Sequence, residues 1–198
     1  MMLKKLVFLL ALMVVAAAAA RGRDIQHHQK ESNPSTDRLI EMACADDSNC
    51  ISIVETAPES EKSNATALTF FILRYVEDQA VNVSKRVRAA KVSSLPPMLQ
   101  SAVAECREQY NSVDDLIDDV VDAMESNSRS DAVEITKAAI GNIDQCHSHL
   151  VANNDEERAE DKSDDDDKED VQWSADLAKS NLLLKKLLGA ALNILKKN

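Results

Sequence analysis

The stretch Ser101–Met124, SAVAECREQYNSVDDLIDDVVDAM, reads as one amphipathic helix. With Leu99 just ahead of it, Ala102, Val103, Cys106, Tyr110, Val113, Ile117, Val120 and Met124 recur at steps of three and four. That spacing puts them on one face of a 3.6-residue helix, predicted over about 98–125. The positions between them are largely acidic. One residue of the apolar seam is a cysteine, Cys106, and the chain's fold is read outward from it.

After this helix, SNSRSD (126–131) holds no apolar residue and marks a turn. A further helix is predicted over 131–151, with Ala132, Ile135, Ala139, Ile143, Cys146 and Leu150 inward. Upstream, Leu68, Ile72, Tyr75, Val76, Ala80, Val83, Val87 and Ala90 form the seam of a helix over 64–92. Ser93, Ser94, Pro96 and Pro97 end it. The closing helix, 173–196, carries Leu177, Leu184, Leu188, Ala191 and Leu195 on one face, with Leu187 and Ile194 beside them. Three glycines, four prolines and six aromatic residues in 198 are few for a strand-and-turn fold. The expectation is an all-α, antiparallel four-helix bundle, disulfide-stapled. A short N-terminal helical extension around Leu39, Ile40, Ala43 and Ile51, Ile53, Val54 is expected to end at Pro58.

The flanks read differently. Residues 1–20, MMLKKLVFLLALMVVAAAAA, have a basic start, an apolar run and small-residue cleavage sites, the layout of a secretory signal peptide. The run is too short, and lacks the polar exit flank, for a membrane span of about 20 apolar residues. The mature chain is expected to start near Arg21, with residues 21–36 a flexible leader and 37–196 the bundle domain. Within that domain, 152–170 (ANNDEERAEDKSDDDDKED) repel one another and predict an extended, mobile acidic linker. It contains DDDDK, the sequence that enteropeptidase cuts after.

Export makes an even number of cysteines read as disulfides, and Cys44, Cys50, Cys106 and Cys146 allow three pairings. Helices 98–125 and 131–151 share a short turn, so they pack antiparallel. Cys106 lies roughly 22 residues before the turn and Cys146 roughly 18 after it. At about 1.5 Å per residue the two stand within a turn of equal height. This geometry pairs Cys106 with Cys146 and leaves Cys44 with Cys50. A bridge closing roughly 40 residues contributes about 3–4 kcal/mol in the chain-entropy picture. The sequons at Asn64 and Asn82 become usable glycosylation sites, while Asn33-Pro34-Ser35 fails on its proline.

Cysteines bracketing a helical hairpin in an exported helical chain resemble the plant invertase/pectin methylesterase inhibitor family. AVAECREQYNSVDDLIDDVVDAM resembles the segment around that family's third cysteine, with Tyr110 four residues after Cys106. ITKAAIGNIDQCHSHL resembles the segment around the fourth, and LAKSNLLLKKLLGAALNIL the closing helix. The resemblance covers roughly residues 37–196. CADDSNC departs from it: the family's usual spacer is longer and often carries Thr, Tyr and Pro, so a shortened N-terminal hairpin is expected. Some invertase-directed members carry a Pro-Lys-Phe triplet ahead of the fourth cysteine. SNSRSDAVE (126–134) has none, which leans the expected target towards pectin methylesterase, with invertase (β-fructofuranosidase) the alternative.

The resemblance implies a secreted protein inhibitor, found in the cell-wall space or the vacuole, that docks over an enzyme's cleft without chemistry of its own. No cofactor and no metal is called for. His147 and His149 flank Ser148 beside Cys146 but point to different sides of a helix, and are expected on its frayed, exposed end. No nucleophile elbow, zinc-protease helix, phosphate loop or EF-hand loop occurs. A net charge of −11 argues against nucleic acid and suits a basic protein partner. Glu108, Asp115, Asp118, Asp119 and Asp122 fall opposite the core seam of their helix and form the candidate docking face. A different class of function is open at the C-terminus. Residues 174–198 carry Lys179, Lys185, Lys186, Lys196 and Lys197 against Asp176, as in a membrane-active helix held behind an acidic spacer. A third class is a helical seed or pollen protein with no enzyme target.

Overall fold

The structure is a computed structural model that describes residues 34–157 and 165–197. The signal peptide expected at 1–20 and the leader up to residue 33 lie outside the described residues. The described residues form seven α-helices and no strand: α1 Pro34–Cys44, α2 Ser48–Val54, α3 Glu59–Lys62, α4 Ala65–Ala89, α5 Pro97–Glu125, α6 Arg129–Glu157 and α7 Asp165–Lys197. Helices α4–α7 are the bundle. Each packs on the next in the chain, and α7 returns to α4 to close the ring.

Local chemistry sets the helix ends. Asn64 caps α4, its side chain accepting from the Ala67 N–H at 2.9 Å. Pro97 opens α5, where a missing N–H costs nothing. At the end of α5, Asn127 takes the left-handed conformation (φ 57°). The Asn127 N–H then reaches the Met124 carbonyl and the Ser128 N–H the Ala123 carbonyl, at 3.1 and 2.7 Å. This Schellman pair stops one helix and lets the next start within four residues. It makes α5 and α6 an antiparallel hairpin.

The far end of that hairpin is bridged by Cys106–Cys146 (S–S 2.03 Å, Cα–Cα 4.7 Å), and both cysteines are fully buried. Cys44–Cys50 ties α1 to α2. The core is one cluster drawn from all four long helices, including Leu68, Ile72, Leu99, Ile117, Ile143, Leu150, Leu177 and Leu188. The expected seams appear in it with small shifts. Ala123 is buried and Met124 half-buried, Thr136 is buried and Ile135 half-buried, and Tyr75 is half-buried beside Val76.

Arg107 determines how α4 ends. Its guanidinium donates to the carbonyls of Val87, Arg88 and Ala90 at 3.1, 3.1 and 2.8 Å. These are carbonyls that the last turn of a helix otherwise leaves without partners. Arg107→Met keeps the aliphatic stem and removes all three bonds. It should cost about 2 kcal/mol and lower Tm by about 4–8 °C. An unchanged Tm by calorimetry would show that water replaces the cap at no cost.

Two expectations are corrected. Residues 152–170 do not form one extended linker: α6 continues to Glu157 and α7 begins at Asp165, leaving 158–164 outside the described residues. The N-terminal extension is also longer than the turns expected before Pro58. It starts at Pro34, inside the expected leader, and adds α3 beyond Pro58. Pro34 is the first residue of α1, where its fixed φ suits the first helical turn, and Pro58 is the N-cap of α3, so the expected stop at Pro58 is instead the start of a further helix.

Candidate functional site

The five acidic residues singled out on α5, Glu108, Asp115, Asp118, Asp119 and Asp122, are all exposed. They face water because the opposite stripe, from Leu99 through Cys106 and Tyr110 to Val120, is taken up by the core. The acid continues onto the neighbouring α4 through Glu77 and Asp78, also exposed. The two helices feel each other's charge. Glu77 is held above the usual carboxylate range, first by partial burial and then by Asp118, Asp78 and Asp114. Asp114 is likewise raised, by burial first; Arg88 opposes the shift, and Asp115 and Asp118 add to it. Such a face carries a negative field able to steer a basic partner. It holds no arrangement of acid, base and nucleophile.

The rigidity behind this face comes from a buried polar node. The Tyr110 hydroxyl donates to Asn181 Oδ1 at 2.6 Å, and Asn181 Nδ2 donates to Cys146 Sγ at 3.0 Å. Asn181 is fully buried and Tyr110 nearly so. Burial pushes the Tyr110 phenol up, so it stays a donor. The node ties α5, α6 and α7 together behind the acidic surface. Asn181 was legible only as an oddity: it occupies the seam position between Leu177 and Leu184, a polar residue on an apolar stripe.

The histidines are placed differently from the expected frayed end, because α6 runs on for eight residues past His149. His147 is half-buried, with Nδ1 3.1 Å from the Ala178 carbonyl of α7, and His149 is exposed. Among the described residues no three His, Cys, Asp or Glu are grouped so as to hold a metal ion.

The lysine helix is engaged in the fold. Leu177, Leu184, Leu187, Leu188, Ala191 and Ile194 of α7 are buried in the core. Lys185 pairs with Asp144 of α6, and Lys186 pairs with Asp47 at 2.5 Å. The Lys186 bond, with the Cys50 N–H, holds the Asp47 carboxyl below its ordinary range. The apolar face a membrane-active helix would need is therefore already covered. No described helix is long and apolar enough to cross a membrane. Of the two sequons, Asn64 is exposed at the α4 cap and Asn82 is exposed midway along α4.

A family model described as plant invertase/pectin methylesterase inhibitor matches residues 38–194. No curated protein matches the chain by sequence. Among solved structures, a mutant form of a pectin methylesterase inhibitor from Arabidopsis superposes with a TM-score of 0.61 at 17% identity, over 79% of this chain and 96% of that one. A pectin methylesterase inhibitor from Arabidopsis thaliana gives 0.52 at 18% identity, over 75% and 85%. At that identity the likeness is one of fold.

Proposed function

Because the chain belongs to the plant invertase/pectin methylesterase inhibitor family, we propose that it inhibits a pectin methylesterase by laying its acidic helical face over the enzyme's cleft. The observation that carries this reading is the extent of the family match, which spans nearly all of the described helical unit. Members of this family are inhibitors, not enzymes. Two features favour pectin methylesterase over invertase. Both solved structures named above are described as pectin methylesterase inhibitors, and 126–134 lacks the invertase-associated triplet. The signal-like start supports action outside the cell, in the cell-wall space. Asn64 and Asn82 are the positions for glycan, and both stand exposed on α4 or its cap. The candidate contact residues are Glu108, Asp115, Asp118, Asp119 and Asp122.

An acidic face acting on a basic enzyme works partly through long-range attraction, which salt screens over about 10 Å at 0.1 M. The inhibition constant should therefore rise by roughly tenfold between low salt and about 0.3 M. The loss should fall mainly in the association rate. An inhibition constant flat across that range would remove electrostatics from the account.

A further inference from the structure

The two sequons lie on one helix and on one side of it. Asn64 and Asn82 are 18 residues apart, which is about five turns of an α-helix and about 27 Å along its axis. Asn64 keeps the register of α4, because its carbonyl accepts from the Leu68 N–H at 2.8 Å. Both asparagines are exposed. The side of α4 that meets α5 is elsewhere on the helix. Arg88 donates to Asn111 of α5 at 2.8 Å. The Glu77 carboxyl, raised first by burial, is raised further by Asp118 of α5. At about 100° per residue, Asn82 stands roughly 120–140° round α4 from these two. Arg86, one turn past Asn82, is on the α7 side: Gln172 and Lys179 first, and then Arg86, hold the Asp176 carboxyl of α7 below its ordinary range.

The two sites differ in how a glycan can be attached. Asn64 accepts the Ala67 N–H through Oδ1, so a sugar on Nδ2 leaves the α4 cap intact. Its sequon hydroxyl, Thr66, is exposed. At Asn82 the sequon hydroxyl is Ser84, only 3% exposed, and its Oγ has no hydrogen-bond partner. A buried hydroxyl without a partner destabilises a fold, and alanine is the better helix former. Ser84 therefore adds nothing by its hydroxyl to the folded chain. The hydroxyl is accessible before α4 packs, when an exported chain presents Asn-Val-Ser to a transferase. The transfer joins asparagine Nδ2 to C1 of an oligosaccharide carried on a polyprenyl diphosphate. The C1–O bond to the diphosphate breaks, the diphosphate leaves, and Nδ2 gives up one proton.

We propose that Asn64 and Asn82 both carry N-linked glycans, and that Ser84 is present for the modification of Asn82 rather than for the fold. The two glycans cover the α4 stripe turned away from α5 and leave the acidic face of α5 open to the enzyme. The openness of that face to an enzyme rests on the inhibitor reading above; the modification does not.

The test secretes the full chain from yeast and weighs it intact before and after peptide N-glycosidase. Two glycans are expected, and Asn64→Gln, Asn82→Gln and Ser84→Ala should each lose one. Made without glycan in bacteria and oxidised, Ser84→Ala should melt at least as high as the parent. Removing both glycans should change the inhibition constant against a pectin methylesterase by less than threefold. Asp119→Asn with Val121→Thr builds a sequon at an exposed position of the acidic face. It should raise that constant at least tenfold over Asp119→Asn alone. Peptide N-glycosidase, which leaves aspartate at the released position, should reverse the rise. A parent lacking glycan at either site, or a Ser84→Ala chain that melts several degrees lower, would overturn the modification. Inhibition improved tenfold by removing the glycans would overturn their placement. Two glycans on a parent that fails to inhibit, with or without them, would overturn the inhibitor reading and leave the modification standing.

Discussion

Replacing Cys106 and Cys146 together by alanine lowers the stability of the protein by about 4 kcal/mol in urea unfolding, by the loop-entropy relation for the 40-residue separation. That is a large part of the roughly 5–15 kcal/mol available to a typical domain. The bridge sits towards the open end of the α5–α6 hairpin, with Leu99, Ala102, Val103 and Leu150 buried further still from the turn at Asn127. It therefore restrains a long loop of the unfolded chain, most of the α5–α6 hairpin. Both sulfurs are fully buried, so the alanine pair also leaves space in the core and removes the acceptor of the Asn181 amide. The Cys44–Cys50 bridge closes six residues and by the same relation contributes about 2 kcal/mol. A loss below about 1 kcal/mol for the long bridge would mean that the unfolded chain keeps the hairpin without it.

The second large effect is expected at Asn181. Asn181→Leu fills a similar volume but leaves the Tyr110 hydroxyl buried with no acceptor. A buried group so orphaned costs about 1–3 kcal/mol, and the asparagine's own bonds are lost as well. We expect a total near 3 kcal/mol for this variant. Tyr110→Phe alone should cost less. Combined with Asn181→Leu it should restore about 1 kcal/mol or more, because removing both partners of a buried bond is far milder than removing one. A double-mutant cycle in urea reads the coupling directly. Strict additivity would show that Tyr110 and Asn181 are merely neighbours.

The contrast between these residues shows what the chain discloses by pattern alone. The four bundle helices are visible because burial imposes one period on the sequence. Leu99 to Val120 and Ala132 to Leu150 are read inward without any knowledge of the partner helix. The acidic surface of α5 follows from the same period, as its complement. Asn181 lies on the period but violates its polarity, and its meaning depends on Tyr110, 71 residues away. Arg107 looks like a surface charge until the end of α4 is placed beside it. The bond between Arg88 and Asn111 needs the register of two helices, which no single-helix pattern contains.

The most direct test titrates the oxidised chain from residue 21 onward against a plant pectin methylesterase and, separately, a plant acid invertase, at mildly acidic pH, following residual activity. The account predicts stoichiometric loss of the pectin methylesterase activity and no loss of the invertase. Full activity of the pectin methylesterase, beside a well-folded helical protein, would contradict it.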